Sequence, residues 1–297
     1  MINERILICC LARDCARSIL DNIPRINELR KQFISSEVLV IENDSMDSTK
    51  EVLLSWQEKG SGININSFDN FSTTYHSKSI VNPFPGTSLY RIEKMAFYRN
   101  MYLDWLETNK SRFDVLILID IDIEWFSIDG VVNTIMQAPP GWGGIFANGY
   151  TDTKCAKLVI YTMFHDMYAY LDELPKAKPY LTLKKLFENK KLMNSKLKEN
   201  DFLSVASAFG GIGIYKVEAI EGLRYTAEPN EDKYMEAICE HIPLNISVIK
   251  RGYNNYISSQ MKVYYGSSDV KIVLRNLLPL WLFKTVCLIL TFRTLKA

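Results

Sequence analysis

The sequence lacks an excess of charge of either sign. Its 297 residues carry 35 Lys and Arg against 34 Asp and Glu, which leaves a net charge of +1. A protein that holds nucleic acid through its phosphates needs a basic surface, so we expect no nucleic-acid partner. Glycine and proline are also scarce, at 14 and 10 residues, which excludes a collagen-like or low-complexity chain.

Metal-binding and disulfide patterns are equally sparse. Only three histidines are present, and none of the six cysteines forms a C-x-x-C pair. These counts exclude a histidine-rich metal site and a zinc knuckle. Cys9 and Cys10 lie in a short apolar run that is typical of a buried strand. We therefore expect reduced thiols in a cytoplasmic protein.

No apolar run reaches the roughly 20 residues of a membrane-spanning helix. Charged residues directly follow the run Ile6–Leu11, so we expect no signal peptide. Leu277–Phe292 is nearly all apolar, but Lys284 interrupts it and basic residues flank it. For residues 267–297 we favour a helix in the plane of a membrane, with a helix packed on the core as the alternative. The first interpretation makes the protein peripheral on the cytosolic face.

The first 125 residues alternate between buried-strand and helix patterns. Strands are predicted at Ile6–Leu11, Glu37–Glu42, Gly62–Phe68 and Val115–Ile119, and helices at Cys15–Phe33, Ser48–Lys59 and Arg91–Leu106. This order predicts an α/β fold, a Rossmann-like and mostly parallel sheet flanked by helices. We expect one domain over residues 1–266, with a nucleotide half at about 1–125 and an acceptor half at about 126–266.

Two carboxylates, Asp120 and Asp122, follow the predicted strand Val115–Ile119 in the segment LILIDIDIEWF. Ligands of parallel sheets bind at the carboxyl ends of the strands, where this D-x-D pair falls. Hard oxygen ligands suit Mg²⁺ or Mn²⁺, and such an ion would neutralise a departing nucleoside diphosphate. The alternative is an ordinary polar strand end.

A second polar turn, IENDSMDST, follows the strand Glu37–Glu42. Capping of the next helix explains Asp47 and Ser48 but leaves Glu42 and Asn43 unaccounted for. Glu42 stands where an acid can accept hydrogen bonds from a ribose or a nucleobase. In the segment RIEKMAFYRN, Arg99 lies on a predicted helix from which it can meet a phosphate or an acid.

The order of these motifs resembles that of GT-A glycosyltransferases. IENDSMDST, AFYRN and LIDID are followed by FANGYTDT (146–153), SAFGGIGIYK (207–216) and CEHIPLNISVIKRGY (239–253). The later stretches are similar to the capsule-associated mannosyltransferase-like group, glycosyltransferase family 69, and more distantly to family 2. The resemblance runs from Ile6 to about Gly266. It implies a GT-A type sheet and a C-terminal apolar helical appendage.

The resemblance also implies roles for individual residues. Those implied to hold the donor are Ala12, Arg13, Glu42, Asn43, Arg99, Asp120, Gly210 and Gly211. Asp122 would bind the metal ion, and Asp120 would contact the same ion or a water molecule bound to it. Asp152 and the Gly210-Gly211 pair would line the sugar and acceptor pocket. A strand bulge is the alternative for the two glycines.

Glu240-His241 departs from the family 2 pattern, in which this helix usually begins Glu-Asp and the Asp is the general base. An inverting transfer needs a base near the acceptor hydroxyl, and Glu240 or a neutral His241 could supply it. A retaining transfer needs no such base, and His241 could then bind the metal or the diphosphate. The resemblance to family 69 favours retention.

The implied activity is a metal-dependent hexosyltransferase, a mannosyltransferase among the candidates, in cell-surface polysaccharide synthesis. The donor would be a GDP- or UDP-linked sugar, and the acceptor a glycan or lipid-linked glycan. Two alternatives stay open. A sugar-nucleotide nucleotidyltransferase normally has a glycine-rich loop with a lysine after strand one, and CCLARDCARS contains no glycine. A non-catalytic, sugar-nucleotide-binding membrane scaffold is the other.

Overall fold

The computed structural model describes residues 1–69, 85–155, 158–174, 196–232 and 235–269. Most of the loop Asn70–Ser88, which the sequence suggests as a lid, lies outside the described residues. So does the helix predicted for 267–297, apart from its first three residues. Those three belong to a strand that ends at Asp269.

The first 120 residues follow the predicted order of elements. The elements are β1 (Ile2–Ala12), α1 (Ala16–Arg30), β2 (Phe33–Asn43), α2 (Thr49–Lys59), β3 (Ile63–Phe68), α3 (Leu89–Asn109) and β4 (Val115–Asp120). Strands β1 and β2 each extend beyond the predicted bounds, mainly at their first four residues, INER in β1 and FISS in β2. The apolar run therefore marks the buried centre of each strand, whereas most residues of these extensions are partly or fully exposed.

The second half is richer in antiparallel strands. Its elements are β5 (Trp125–Phe126), α4 (Ile128–Met136), β6 (Trp142–Cys155), β7 (Leu158–Phe164), β8 (Phe202–Ser204), β9 (Ile212–Lys216), α5 (Val217–Ile220), β10 (Glu228–Asp232), β11 (Met235–Ile238), α6 (His241–Lys250) and β12 (Asn254–Asp269). The sequence from Asn230 to Cys239 predicts a helix, and this prediction is wrong. Met235 and Ala237 are buried with Glu236 between them, the period of a strand, in the β10–β11 hairpin.

One sheet organises the described residues, in the order β3-β2-β1-β4-β9-β6-β12-β5, with β7 on β6 and β8 on β12. It is parallel from β3 to β4 and again between β6 and β12. Strand β9 lies antiparallel between β4 and β6. Because β9 is antiparallel to both β4 and β6, these two strands run in the same direction, and β12 runs parallel to β6. The carboxyl ends of β4, β6 and β12 therefore lie at the same edge of the sheet. The predicted α/β fold with a mostly parallel sheet is confirmed.

Both faces of the sheet are buried, which explains why its central strands are continuous apolar runs. In β1, Leu7 and Cys9 pack on the face covered by α3, and Ile8 and Cys10 on the face covered by α1. Both of these cysteines carry free thiols, as expected from the sequence.

No helix in the described ranges is long and apolar enough to cross a membrane.

Candidate active site

A cleft of about 650 Å³ opens where three parallel strands end. Ala12 is the last residue of β1, Asn43 is the last of β2 and Asp120 is the last of β4. All three residues line the cleft. Arg13 and Asp122, which follow β1 and β4, line it too. Helix α3 contributes Arg99 to the same wall. The sheet therefore brings together residues from distant sequence motifs, as the parallel topology predicts.

The turn that carries the D-x-D pair is fixed by contacts on both sides. On one side, Asn22 of α1 is fully buried and donates to the carbonyl oxygens of Ile121 (3.0 Å) and Ile123 (2.7 Å). On the other, the Asp120 N–H donates to the Gly211 carbonyl at 2.9 Å. Asp122, between these anchors, is exposed to the cleft.

Asp120 lies in an environment that disfavours its negative charge. Burial raises the pKa of its carboxyl group to about 6; the nearby Arg99 opposes this shift and Asp122 adds to it. The hydroxyl of Tyr265 donates to Asp120 Oδ2 at 2.9 Å. A cation between Asp120 and Asp122 would remove the repulsion, so the chemistry of the pair suits a divalent metal.

The metal site is incomplete as a protein cage. Within the ranges that the structure describes, no three His, Cys, Asp or Glu side chains converge to hold an ion. His241 is thus not brought together with Asp120 and Asp122 as a third ligand. Mg²⁺ and similar ions commonly take one or two carboxylates from the protein and the remaining ligands from phosphates and water. The pair therefore fits an ion that arrives with a diphosphate.

Arg99 is the buried cation of the site. Its Nε donates to Glu240 Oε1 at 3.0 Å, and its Nη2 lies 3.9 Å from Asp120 Oδ1. The guanidinium carbon stands 5.2 Å from the ring centre of Phe209 and 5.7 Å from that of Tyr225. Both partners of the Arg99–Glu240 pair are almost fully buried. Such a pair is costly to break, because the remaining charge has no water to solvate it.

His241 begins α6 directly after Glu240 and lies flat against an aromatic ring. Its imidazole stacks on Phe209 with 4.1 Å between ring centres, and Tyr225 meets it edge-on at 5.4 Å. Burial, followed by the charge of Arg99, holds the pKa of His241 well below its usual range. Neither ring nitrogen has a hydrogen-bond partner among the described residues. The side chain is therefore neutral at physiological pH.

Glu42 and the glycine pair are absent from the cleft wall. Glu42 is 1% exposed, and its carboxylate accepts hydrogen bonds from the Ser45 N–H (3.0 Å) and the Ser67 hydroxyl. It therefore holds the turn after β2, next to Asn43, which does line the cleft. Gly210 and Gly211 have φ of 65° and 93°. A Cβ on Gly211 would meet the Tyr265 hydroxyl at 2.7 Å, so this pair shapes the backbone behind the site.

Asp152 is also placed away from the cleft. It lies on β6, where its carboxylate accepts a hydrogen bond from the Thr162 hydroxyl of β7 at 2.6 Å. Since the β6–β7 hairpin extends past the end of β4, residues near its tip stand apart from the D-x-D turn.

Three residues that line the cleft were missed by the sequence analysis: His165, Asp166 and Tyr265. His165, taken there for a helix residue, follows β7 and stacks on Tyr265 with 3.7 Å between ring centres. Asp166 adopts a φ of 63°, and its Oδ2 accepts the Gly210 N–H at 3.1 Å. Burial raises the pKa of Asp166 to about 7, with Asp120 and Glu240 adding to the shift. The one sequence signal for His165 and Asp166 is the segment YTMFHD, in which an acid follows a largely apolar run, as it does in LILID.

Replacing Arg99 by leucine should destabilise the fold by about 3–5 kcal/mol, because Glu240 would be left buried without a partner. Arg91→Leu is the matched control: Arg91 is exposed on the same helix, and a loss below about 0.5 kcal/mol is expected. Urea unfolding measures both. The double variant Arg99→Leu/Glu240→Gln should recover part of the lost free energy of unfolding. An Arg99→Leu protein as stable as the Arg91→Leu control would contradict the role given to the Arg99–Glu240 pair.

The chain was compared with known proteins. A family profile described as Cryptococcal mannosyltransferase 1 matches residues 5–243. A search of curated protein sequences gave no significant match.

Three solved structures are similar to this chain at low sequence identity. Mannosyltransferase PcManGT from Pyrobaculum calidifontis, in complex with GDP-Man and Mn²⁺, is 13% identical with a TM-score of 0.46, over 89% of this chain and 57% of that one. TarS from S. aureus is 11% identical with a TM-score of 0.45, over 88% and 60%. Glucosyl-3-phosphoglycerate synthase from Mycobacterium tuberculosis, with UDP, is 12% identical with a TM-score of 0.42, over 89% and 71%.

The chain thus spans somewhat more than half the length of the first two of these structures. The family match, in contrast, covers most of the present sequence and includes the D-x-D turn, Arg99 and Glu240-His241. It confirms the resemblance that the order of motifs suggests. The chain belongs to the family described as Cryptococcal mannosyltransferase 1.

Proposed function

We propose that the protein transfers a sugar from a nucleotide-diphosphate sugar to a hydroxyl of a glycan or lipid-linked glycan. The observation that carries this proposal is the D-x-D pair at the mouth of a cleft formed by the ends of three parallel strands. Because the family is one of mannosyltransferases, GDP-mannose is the first donor to test and UDP-linked sugars are the second. A role in cell-surface polysaccharide synthesis is part of the proposal.

Asp120 and Asp122 would hold Mn²⁺ or Mg²⁺ together with the donor diphosphate. The bound ion would supply charge neutralisation for the departing nucleoside diphosphate. The cleft contributes further positive charge from Arg13, Arg91 and Lys94. Burial and the proximity of Arg13 lower the pKa of Lys94, which indicates that a bound anion would be stabilised beside it.

The nucleoside would lie against the ends of β1 and β2. Ala12 and Arg13 follow from β1, and the Asn43 carboxamide, only 7% exposed, stands at the end of β2. Glu42 would act indirectly, by holding the turn that positions Asn43. This arrangement leaves the D-x-D end of the cleft for the diphosphate and the sugar.

The surroundings of Glu240 and His241 favour a retaining transfer. Glu240 is paired with Arg99, and His241 is stacked on Phe209 and 2% exposed. Both residues line the cleft, but Arg99 engages the carboxylate of Glu240 and Phe209 covers the ring of His241, and a retaining transfer requires no free base. Alignment of the donor and acceptor, with charge stabilisation at the diphosphate, would then account for most of the rate enhancement.

Asp166 would receive a hydroxyl of the transferred sugar. Backbone N–H groups of Gly210 and Ala169 hold its carboxylate, and it lines the same cleft as Asp120. The left-handed backbone at Asp166 is unfavourable for an aspartate, so the surrounding structure imposes this position. A carboxylate fixed in this way can orient a sugar through a charge-assisted hydrogen bond.

A panel of nucleotide sugars with and without Mn²⁺ tests the donor site by thermal shift. A ligand at 100 times its Kd should stabilise the protein by about 2.7 kcal/mol. The expected result is a Mn²⁺-dependent shift with one nucleotide family that is lost in Asp122→Asn. Asp129→Asn, an exposed acid on α4, is the matched control and should keep the shift. If no donor shifts the melting temperature of the wild type, the proposed activity is wrong.

Asp166→Asn should weaken the binding of GDP-mannose about tenfold, which is the effect of losing one hydrogen bond to a charged group. The affinity for GDP should stay unchanged. Titration calorimetry with Mn²⁺ present measures both affinities. Asn keeps the side-chain volume and can still accept the Gly210 N–H, so the fold should persist. Asp201→Asn, an exposed acid outside the cleft, is the control. An equal loss for GDP and GDP-mannose would contradict contact with the sugar.

The apolar segment Leu277–Phe292 would hold the protein at a membrane surface on its cytosolic face, near a lipid-linked acceptor. It lies outside the described residues, so this part of the proposal depends on its composition alone. Co-sedimentation with vesicles containing phosphatidylserine should recover the full chain and leave a chain ending at Arg275 in solution. Equal recovery of the two chains would refute the anchor.

A further inference from the structure

A second cavity, of about 910 Å³, shares no lining residue with the cleft. Its walls come from the start of α4, the carboxyl end of β6 and the middle of β12. We call it the β12 groove and define it by Trp125, Asn133, Asn148, Tyr150, Gln260 and Lys262. None of these residues has a part in the proposed donor site.

Two aromatic side chains, Trp125 and Tyr150, line the β12 groove, and Tyr264 lies between them in the sheet. Tyr264 is the cross-strand partner of Trp125 in β5 and of Tyr150 in β6. The three side chains therefore form one row across adjacent strands, roughly 10 Å long at the usual strand spacing. The rings of Tyr150 and Tyr264 are 5.2 Å apart and inclined by 37°. All three residues are half-buried, so part of each faces outward.

The walls of the groove carry carboxamides and hydroxyl groups. Asn133, Asn148 and Gln260 each offer a hydrogen-bond donor and an acceptor. The charged side chains on the wall are of both signs: Asp129 on one side, Lys198 and Lys262 on the other. A polyanion such as a nucleic acid would require a stronger basic surface. Flat rings with carboxamides around them suit a ligand with apolar C–H faces and many hydroxyls.

The groove lies close to the D-x-D turn along the chain. Trp125 is three residues past Asp122, a separation of at most about 11 Å. Tyr264 adjoins Tyr265, whose hydroxyl donates to Asp120, and successive strand residues point to opposite faces. Asp152, expected to line an acceptor pocket, is hydrogen-bonded to Thr162 of the groove wall. The groove and the cleft thus face opposite sides of β12, and a sugar chain in the groove would have to pass over the D-x-D turn, next to Trp125, for its end to reach the cleft.

We propose that the β12 groove binds a neutral oligosaccharide, the part of a glycan acceptor that lies away from the reacting hydroxyl. This inference rests on the proposed glycosyl transfer for its biological sense, but the binding itself needs no donor. It places recognition of the acceptor chain on β5, β6 and β12 and leaves the transferred sugar to the cleft.

Saturation-transfer NMR on the full chain tests the groove, with α-mannotriose, maltotriose and cellotriose as probes and no nucleotide present. We expect at least one trisaccharide to bind the wild type and to bind at least about fivefold more weakly to Tyr150→Ala, because an aromatic contact is lost. Tyr161→Ala is the matched control: Tyr161 is 46% exposed on the neighbouring strand and does not line the groove. It should bind like the wild type.

Asn133→Ala provides a second test on a half-exposed helix position that should not disturb folding. It should also weaken trisaccharide binding. The proposal would be overturned if none of the three probes binds the wild type at millimolar concentration. It would also be overturned if Tyr150→Ala and Asn133→Ala bind the probes as tightly as the wild type does. Thermal shift with the full panel of nucleotide sugars and Mn²⁺ separates the two proposals: trisaccharide binding without a shift by any donor supports the groove and refutes the transferase activity.

Discussion

The buried charge of Arg99 is the interaction on which the rest of the site depends. The cleft collects acids from three segments: Asp120 at the end of β4, Asp166 after β7 and Glu240 before α6. Carboxylates in such a place repel one another and are poorly solvated. Arg99 pairs directly with Glu240 at 3.0 Å and lies farther, at 3.9 Å, from Asp120. Burial raises the pKa values of Asp120 and Asp166, and the neighbouring carboxylates add to both shifts.

Aromatic rings around Arg99 determine how this charge is distributed. Phe209 and Tyr225 cover the guanidinium and also enclose His241. In that dry surrounding a second cation next to Arg99 would be costly, so the imidazole stays neutral. His241 therefore adds no positive charge beside the D-x-D pair. In the proposed function, a metal ion bound with a diphosphate would supply that charge to the two carboxylates.

The sequence predicted well those parts of the site that follow directly from a strand. Asp120, Asp122 and Asn43 stand at strand ends because the apolar runs before them could only be buried strands. Glu42 was assigned to the ligand because periodicity could not show that Ser45 and Ser67 use its carboxylate. The sequence did not indicate Asp166 as a site residue. Its position depends on a hydrogen bond from Gly210, 44 residues later, and on a left-handed backbone that local propensity does not specify. The β10–β11 hairpin was missed because the three buried residues of β11, Met235, Ala237 and Ile238, fit the period of a helix as well as that of a strand.

The long strand β12 connects the two regions of the molecule that matter for function. It runs parallel to β6, with irregular register near Ser258–Lys262 and again near Tyr264–Ser267. At the start of the second irregular stretch, Tyr264 joins the aromatic row, and the next residue, Tyr265, reaches Asp120. Gly211 leaves the space that the Tyr265 ring requires. One strand thus sets the distance between the D-x-D turn and the β12 groove. Since the two tyrosines are consecutive in the chain, a shift of register here would displace both regions together.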